Sequence, residues 1–503
     1  MADLRQKAAK GVAWALMERF TTQLMGFVVA VVLSRLLTPS DYGTIALLSI
    51  FFAVSSVVIG GGFTSALIQK KEATELDFNS VFYIQLLVSL ATYAILFASA
   101  PGIAEFYQIP ELSDIMRVVS VTVVFLGING VQNAELSRKM KFNASFKISL
   151  LQSLVSGVVG VAMAIAGYGV WALAWSSVLG AFTGMMSRWF IIAWRPRLMF
   201  SWAAVKGLFR YGWKMAAATM LDTAYDNLYG LFIGRIYTKS DLAFFNKGHS
   251  VPKLAMDSIN GTLCRVAFPA LSQLQDRRDS VREAMRKMIK SSTFLVFPLM
   301  AGCAVCAPTL TPLLFGDQWM PAVPYVQVAC FQFALWPFHT VNLQAIASLG
   351  RSDLFLMLEI VKKTFGLLVL LVSLRYGPFA FACAMAFVAG PFSVAVNAYP
   401  NKRLLGYTVW MQLRDVAPTA LVSAAMFAAC WGVSHVFVAE GDALRCLMLI
   451  LQMFTGVIVF ILVAACTRVK AADDFLLALS SVCKGKSGVS TKIEWLIKKW
   501  RRT

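Results

Sequence analysis

A succession of long apolar runs, broken only by short basic or polar turns, leaves this chain few folding options. A bilayer core needs roughly 20 apolar residues per helical crossing. Runs of that length recur at 11–37, 42–68, 79–100, 113–136, 145–167, 169–193, 213–236, 242–270, 291–314, 321–348, 353–374, 378–399, 415–438 and 444–467. In hydrocarbon a spanning segment must satisfy its own backbone N–H and C=O groups, so these runs predict helices. The first, seventh, eighth and tenth are interrupted by polar residues; the basic loops on either side of them demand a crossing. The expected fold class is an all-α integral membrane protein with about 14 transmembrane helices.

Composition agrees. Hydrophobic residues make up 58% of the 503 and charged residues 14%, where a soluble domain carries about 25% charged residues. The net charge of +20 does not point to nucleic acid, because the bases sit between the apolar runs and no base-stacking or zinc pattern accompanies them. The N-terminal segment runs from Arg5, Lys7 and Lys10 straight into a long span, with no small-residue cleavage site of a signal peptide.

The basic residues also fix an expected orientation. With the N-terminus in the cytoplasm, the inner segments hold Lys70 and Lys71; Arg138, Lys139, Lys141 and Lys147; Arg195, Arg197, Lys206 and Arg210; Arg277, Arg278, Arg282, Arg286, Lys287 and Lys290; Arg351; and Lys402, Arg403 and Arg414. The outer loops hold Lys239, Arg375 and Arg445. Counting also the N-terminal Arg5, Lys7 and Lys10 and the tail after Arg468 as inner, the bias is roughly ten to one, as the positive-inside rule expects. Even the longest outer loop, around 101–112, is too short for a catalytic domain. The inner segments near 194–212 and 271–290 are basic and amphipathic and are expected along the headgroups. For the tail 484–503 two readings stand. Ile493, Leu496, Ile497 and Trp500 share a helical face among Lys492, Lys498, Lys499, Arg501 and Arg502, which suits an interfacial helix; a disordered solubilising tail fits as well.

The chain repeats itself. S-R-L-L-T-P-S-D-Y at 34–42 is echoed by G-R-I-Y-T-K-S-D-L at 234–242, and Asn129, Gln132, Lys141 and Asn143 align with His339, Asn342, Arg351 and Asp353. The copies lie an even number of spans apart, so a duplication gives lobes of parallel orientation, one class of alternating-access transporter. The expected domains are 1–200 (spans 1–6), 201–411 (spans 7–12), 412–483 (two additional spans) and the tail 484–503. Part of the motif has a local reading, since Thr38 or Ser40 can cap the next helix with Asp41 near its start.

Ionisable groups inside the spans each cost roughly 2.5–3.5 kcal/mol on insertion scales and persist where they meet a partner or a wet cavity. The first span carries Glu18, Arg19, Thr22 and Gln23; the seventh Asp222, Asp226 and Asn227; the eighth Lys247, His249, Lys253, Asp257, Asn260 and Arg265. One reading is internal neutralisation, Lys253 with Asp257 and Glu18 with a nearby base. The other is a basic, water-filled cavity for an anion such as diphosphate, which Lys and Arg recognise by charge-assisted hydrogen bonds. On that reading Arg19, Lys247, Lys253 and Arg265 bind substrate, and Asp222, Asp226 and Asp257 are ion-coupling candidates. Pro252, Pro298 and Pro337 fall within spans and fit hinges or static kinks. Cys303 and Cys306 form a C-x-x-C inside an apolar run, without a second pair for a metal site. No catalytic group, cofactor or metal is expected, and no phosphate-binding G-x-x-x-x-G-K-[ST] is present.

These residues carry a family resemblance. G-V-A-W at 11–14, S-R-L-L-T-P-S-D-Y-G at 34–43, A-L-I-Q-K-K-E at 66–72, R-V-A-F-P-A-L-S-Q-L-Q-D at 265–276 and L-F-G-D-Q-W-M-P-A-V at 314–323 are similar to the Wzx-type polysaccharide flippases of the multidrug/oligosaccharidyl-lipid/polysaccharide exporter superfamily, colanic-acid-exporter-like branch. The resemblance implies two six-helix lobes around a central cavity plus two further helices. It implies a transporter, not an enzyme, in the bacterial inner membrane with both termini cytoplasmic. Its substrate would be an undecaprenyl-diphosphate-linked oligosaccharide moved to the periplasmic leaflet by alternating access, with an H+ or Na+ gradient as drive and polysaccharide polymerases as partners. A cation-coupled multidrug exporter and a peptidoglycan-precursor flippase of the same superfamily are the alternatives; the basic eighth span argues against the former.

Overall fold

The computed structural model describes residues 2–467 apart from 61, 71, 140 and 437–440; the tail at 484–503 lies outside the described residues. All regular structure among them is helical. Eighteen α-helices follow in order: α1 (Ala2–Leu36), α2 (Pro39–Gly60), α3 (Phe63–Gln69), α4 (Glu75–Tyr107), α5 (Glu111–Val119), α6 (Val121–Arg138), α7 (Phe142–Ile165), α8 (Val170–Ile191), α9 (Trp202–Ile236), α10 (Lys239–Ser272), α11 (Arg278–Phe315), α12 (Val323–Ala334), α13 (Trp336–Ser348), α14 (Ser352–Ser373), α15 (Pro378–Ala384), α16 (Gly390–Leu405), α17 (Val409–Val436) and α18 (Asp442–Cys466). Among the described residues nine helices are long and apolar enough to cross a bilayer.

Several runs break where backbone chemistry dictates. Gly62, at φ 72°, separates α2 from α3. The tenth run divides into α12 and α13, and Pro337 lies in the first turn of α13, where a missing N–H is tolerated. Pro252 and Pro298 are interior to α10 and α11. The segments expected along the headgroups differ from expectation: 202–212 and 278–290 are continuous with the crossing parts of α9 and α11, since no proline or turn signal ends the helix there.

By packing, the chain forms two compact units, Met1–Ala243 and Phe244–Thr503. In the first unit α1 lies against α7, α7 against α8, and α4 against α6. Phe63, Leu67, Val81, Phe82, Val131, Ile148, Trp194 and Leu208 form a buried cluster. The α8–α9 linker is tied onto the start of α4: Arg197 N donates to Asn79 Oδ1 at 2.5 Å, Ser201 N to Ser80 Oγ at 2.9 Å, and Trp194 Nε1 to Glu75 Oε2 at 3.2 Å. Helix α2 packs closely on α9. A Cβ at Gly43 would overlap the Lys239 carbonyl, and one at Gly62 the Gly212 backbone. Small residues of this kind let membrane helices approach.

In the second unit α11 is central, flanked by α12, α13, α17 and α18. Met256, Val296, Met300, Val326 and Phe333 fill one core, and Ala267, Leu271, Met285, Phe338 and Tyr407 another. Arg286 grips Asp415 through Nε at 2.6 Å and Nη2 at 2.5 Å, Lys290 lies 3.2 Å away, and Tyr407 donates to Asp415 Oδ2 at 2.9 Å. This clasp joins α11 to α17.

The sequence repeat has a backbone counterpart. Thr38 N and Oγ1 donate to Asp41 Oδ2 at 3.0 and 2.7 Å, and Asp41 N returns to Thr38 Oγ1 at 3.3 Å. Thr238 and Asp241 make the same three bonds at 3.1, 2.6 and 3.1 Å. The motif is thus a reciprocal cap that starts α2 and α10. The weaker echo is also a shared turn. Lys141 (φ −83°, ψ 58°) starts α7 as Arg351 (φ −93°, ψ 61°) starts α14. Their N–H groups reach back to Leu136 and Ile346 at 3.1 and 3.3 Å.

Gly62→Ala places a side chain at positive φ and against Gly212, a loss beyond the ~1–2 kcal/mol of left-handed strain alone. Gly60→Ala, helical with nothing within 4 Å, is neutral or slightly stabilising. Thermal unfolding of the purified variants checks this; equal midpoints would refute the close approach of Gly62 to Gly212 of α9.

Candidate functional site

Helix α9 presents Asp222 and Asp226 one turn apart, both exposed. Asn227, beside them, returns its Nδ2 to the Thr223 carbonyl at 2.8 Å. Arg19 and Arg265 occupy helical positions in α1 and α10, and their side chains lie outside the described residues.

The other candidates fall at different levels of α10, and the helix treats them differently. Near its start, Lys247 is buried at 8% exposure. Its ammonium sits 4.0 Å from the centroid of Phe315 and 4.8 Å from that of Trp319. Phe244 meets Trp319 edge-on, and Phe245 stacks on Phe381. Gly248 permits this packing, since a Cβ there would strike Tyr325. Lys247 is therefore placed against the end of α11 by cation–π contacts, with no open approach for a large anion.

One stripe of α10 carries polar residues toward α12 and α13. His249 Nε2 lies 3.3 Å from Gln332 Oε1. About three turns on, Asn260 Oδ1 accepts from Thr340 Oγ1, and Cys264 Sγ follows at 4.0 Å from Gln344 Nε2. Lys253 and Asp257 lie on this stripe between the two ties, level with the break between α12 and α13. Lys253 is exposed and Asp257 half-buried. Lys253 makes no ion pair with a described residue. Pro252, buried one residue before Lys253, removes one rung of the helix ladder. The geometry thus keeps Lys253 accessible, together with Asp257, and separates both from Lys247.

The charges of α14 and the surroundings of Glu18 escaped the sequence reading. In α14, Lys362 pairs with Glu359 at 2.6 Å, and the adjoining His339 Nδ1 lies 3.1 Å from Asn397 Nδ2. The signal was three charges within 359–363 of an apolar run. In the first unit, Glu18 accepts from Ser145 and Ser149 at 2.9 and 2.8 Å, and Arg188 donates to Asn133 at 3.0 Å. Nothing in the local sequence pairs residues so far apart. Cys303 and Cys306 pack into apolar clusters, and the described residues hold no group of three or more His, Cys, Asp or Glu arranged to bind a metal.

Comparison with known proteins adds an independent line. The family model described as "Polysaccharide biosynthesis protein" matches residues 32–324. The chain is 24% identical over 452 residues to the teichuronic acid biosynthesis protein TuaB of Bacillus subtilis, covering 86% of this chain and 90% of that one. It is 22% identical over 334 residues to the lipopolysaccharide biosynthesis protein WzxC of Escherichia coli, covering 65% and 67%. Among solved structures it shares its fold with the lipid II flippase MurJ in an inward closed conformation (TM-score 0.72, 13% identity, 90% of this chain and 98% of that one). It also shares its fold with an inward-facing MATE multidrug resistance transporter (TM-score 0.62, 16% identity, 76% and 94%). The apolar helices and these matches agree: the chain belongs to the polysaccharide biosynthesis protein family, as a multi-span membrane transport protein.

Proposed function

We propose that this protein moves an undecaprenyl-diphosphate-linked oligosaccharide from the cytoplasmic to the periplasmic leaflet of the bacterial inner membrane, for exopolysaccharide or lipopolysaccharide assembly. Both chain ends lie in the cytoplasm, as the distribution of Lys and Arg between the spans demands. The observation that carries the reading is Lys253, an exposed ammonium in the interior of α10, the helix of the eighth expected span. A charge at that depth persists where it meets water or an anion. A diphosphate supplies such an anion, and Lys and Arg bind its oxygens by charge-assisted hydrogen bonds. Arg265 and Arg19 complete the basic set in this proposal. Lys247, held under two rings, takes a structural part.

The repeat supports transport by alternating access, with the halves built on equivalent capped turns. Asp222 and Asp226 are the proposed groups for an H+ or Na+ drive, because two carboxylates one turn apart share a proton or cation readily. Asp257, next to Lys253, tunes the charge of the diphosphate site. The protein hands its cargo to polymerases on the outer face.

A deletion strain tests the function directly. Mass spectrometry should find the lipid-linked oligosaccharide accumulated in the cytoplasmic leaflet. Accumulation of the peptidoglycan precursor instead would replace this substrate with that one. Lys253→Ala removes a charged hydrogen bond, so substrate affinity should fall roughly tenfold to a hundredfold. Surface polymer should be lost while the protein still inserts, and Lys253→Arg should restore part of it. Asp222→Asn and Asp226→Asn should flatten the dependence of transport on an imposed pH or sodium gradient in proteoliposomes. An unchanged gradient response in both would leave these carboxylates a structural role.

A further inference from the structure

The first unit holds a second polar constellation, built from four helices and chemically unlike the basic stripe of α10. Ser145 and Ser149, one turn apart on α7, both donate to the same oxygen of Glu18, Oε1, at 2.9 and 2.8 Å. Arg188, in the last turn of α8, donates from Nε to Asn133 Oδ1 of α6 at 3.0 Å and from Nη1 to the Gly184 carbonyl at 2.8 Å. Gln152, the next turn of α7, fills the space over Gly184, where a Cβ would also lie 3.1 Å from Arg188 Nη1. Glu18 and Arg188 are the acid and the base of the cluster. The chain of neighbours is therefore continuous from α1 through α7 and α8 to α6.

What this group leaves unused is as informative as what it bonds. Glu18 Oε2, the Gln152 amide, Asn133 Nδ2 and Arg188 Nη2 make no hydrogen bond with a described residue. All four side chains are half-buried, and none of these atoms is among the sealed polar atoms of the structure. Ionisable groups at a membrane helix are too costly to face lipid, so such atoms call for water or a polar ligand. The carboxylate and guanidinium offset one another, so the cluster has no surplus charge to attract diphosphate, and Glu18 repels it. It offers a strong acceptor, a planar set of donors and two amides. These are the complements of neighbouring hydroxyl groups, which both donate and accept. The cluster lies at the end of the unit that carries the ends of α6 and α8 and the start of α7, beside Arg138 and Arg195. In the orientation proposed above that is the cytoplasmic end, where undelivered substrate waits.

We propose that Glu18, Asn133, Gln152 and Arg188 recognise a hydroxyl-rich sugar residue of the lipid-linked glycan, apart from the groups that meet its diphosphate. This rests on the substrate class assigned in the preceding subsection. A site built to hydrogen-bond hydroxyls discriminates strongly against a ligand lacking them, because its polar atoms are then left unpaired. It therefore sets specificity, whereas the basic stripe accepts any diphosphate lipid.

The test uses the purified full-length protein and two probes, undecaprenyl diphosphate and undecaprenyl diphospho-glucose. Glu18→Gln keeps an acceptor for both serines, and Gln152→Ala leaves the Glu18 and Arg188 bonds intact. Each should weaken binding of the glucosyl lipid about tenfold and leave the sugar-free lipid unchanged, at an unaltered thermal midpoint. Lys253→Ala should weaken both lipids alike. If Glu18→Gln and Gln152→Ala weaken both probes equally, or neither, the sugar site is refuted while the diphosphate reading stands. If the wild type binds neither lipid, the substrate assignment falls and this site with it.

Discussion

A charge held among apolar helices must find water, a counter-charge or an aromatic face, and this molecule uses each solution in a separate place. At helix ends the bases satisfy carbonyls: Arg138 Nη1 reaches Leu67 O and Lys70 O at 2.5 Å each, and Arg195 donates to Trp194 O at 2.8 Å. In the second unit Arg286 and Lys290 neutralise buried Asp415 and bind two helices together. Lys247 uses rings. Among the charges left with accessible atoms after these duties are Lys253, the Glu18–Arg188 group and the pair Asp222 and Asp226, and these call for a functional explanation.

The repeat shows how little sequence is needed to preserve a turn. Thr38 and Thr238 start their helices with the same three bonds, and Thr74 with Asp77 repeats the device at α4. A capping residue is worth about 1 kcal/mol, enough to keep Thr and Asp at their spacing while the neighbouring apolar residues drift. The echo around 129–143 and 339–353 survives in backbone geometry more than in residue type, since Lys141 and Arg351 share a conformation that either side chain tolerates.

The sequence reading reached the helical class, the family and the cap because each depends on short-range pattern: run length, charge between runs and a four-residue motif. It grouped the bases of α10 together, and at 100° per residue Lys247, Lys253 and Arg265 do fall within about a third of the circumference. A helical wheel ignores depth and neighbours. Lys247 and Lys253 are six residues apart, about 9 Å along the axis, enough to put one under Phe315 and the other beside the α12–α13 break. Glu18 was visible as an intramembrane acid, but Ser145, Ser149 and Arg188 as its surroundings were not. Those contacts span more than 120 residues of chain, and serines carry no hydropathy signal. The charges of α14 were overlooked because an apolar average concealed Glu359 and Lys362.

The ties along α10 also bear on whether Pro252 is a hinge. His249 precedes it and reaches Gln332; Asn260 follows it and accepts from Thr340. A bend at Pro252 that left α12 and α13 in place would break one of these bonds. A net hydrogen bond is worth about 0.5–1.5 kcal/mol, and a buried partner left unpaired costs a further 1–3 kcal/mol. Met256, fully buried against α11 and α12 midway between the ties, would be pulled from its core as well. These terms together exceed what one missing helix rung contributes to flexibility. Pro252 therefore fits a fixed kink rather than a hinge, with Lys253 exposed one residue beyond it.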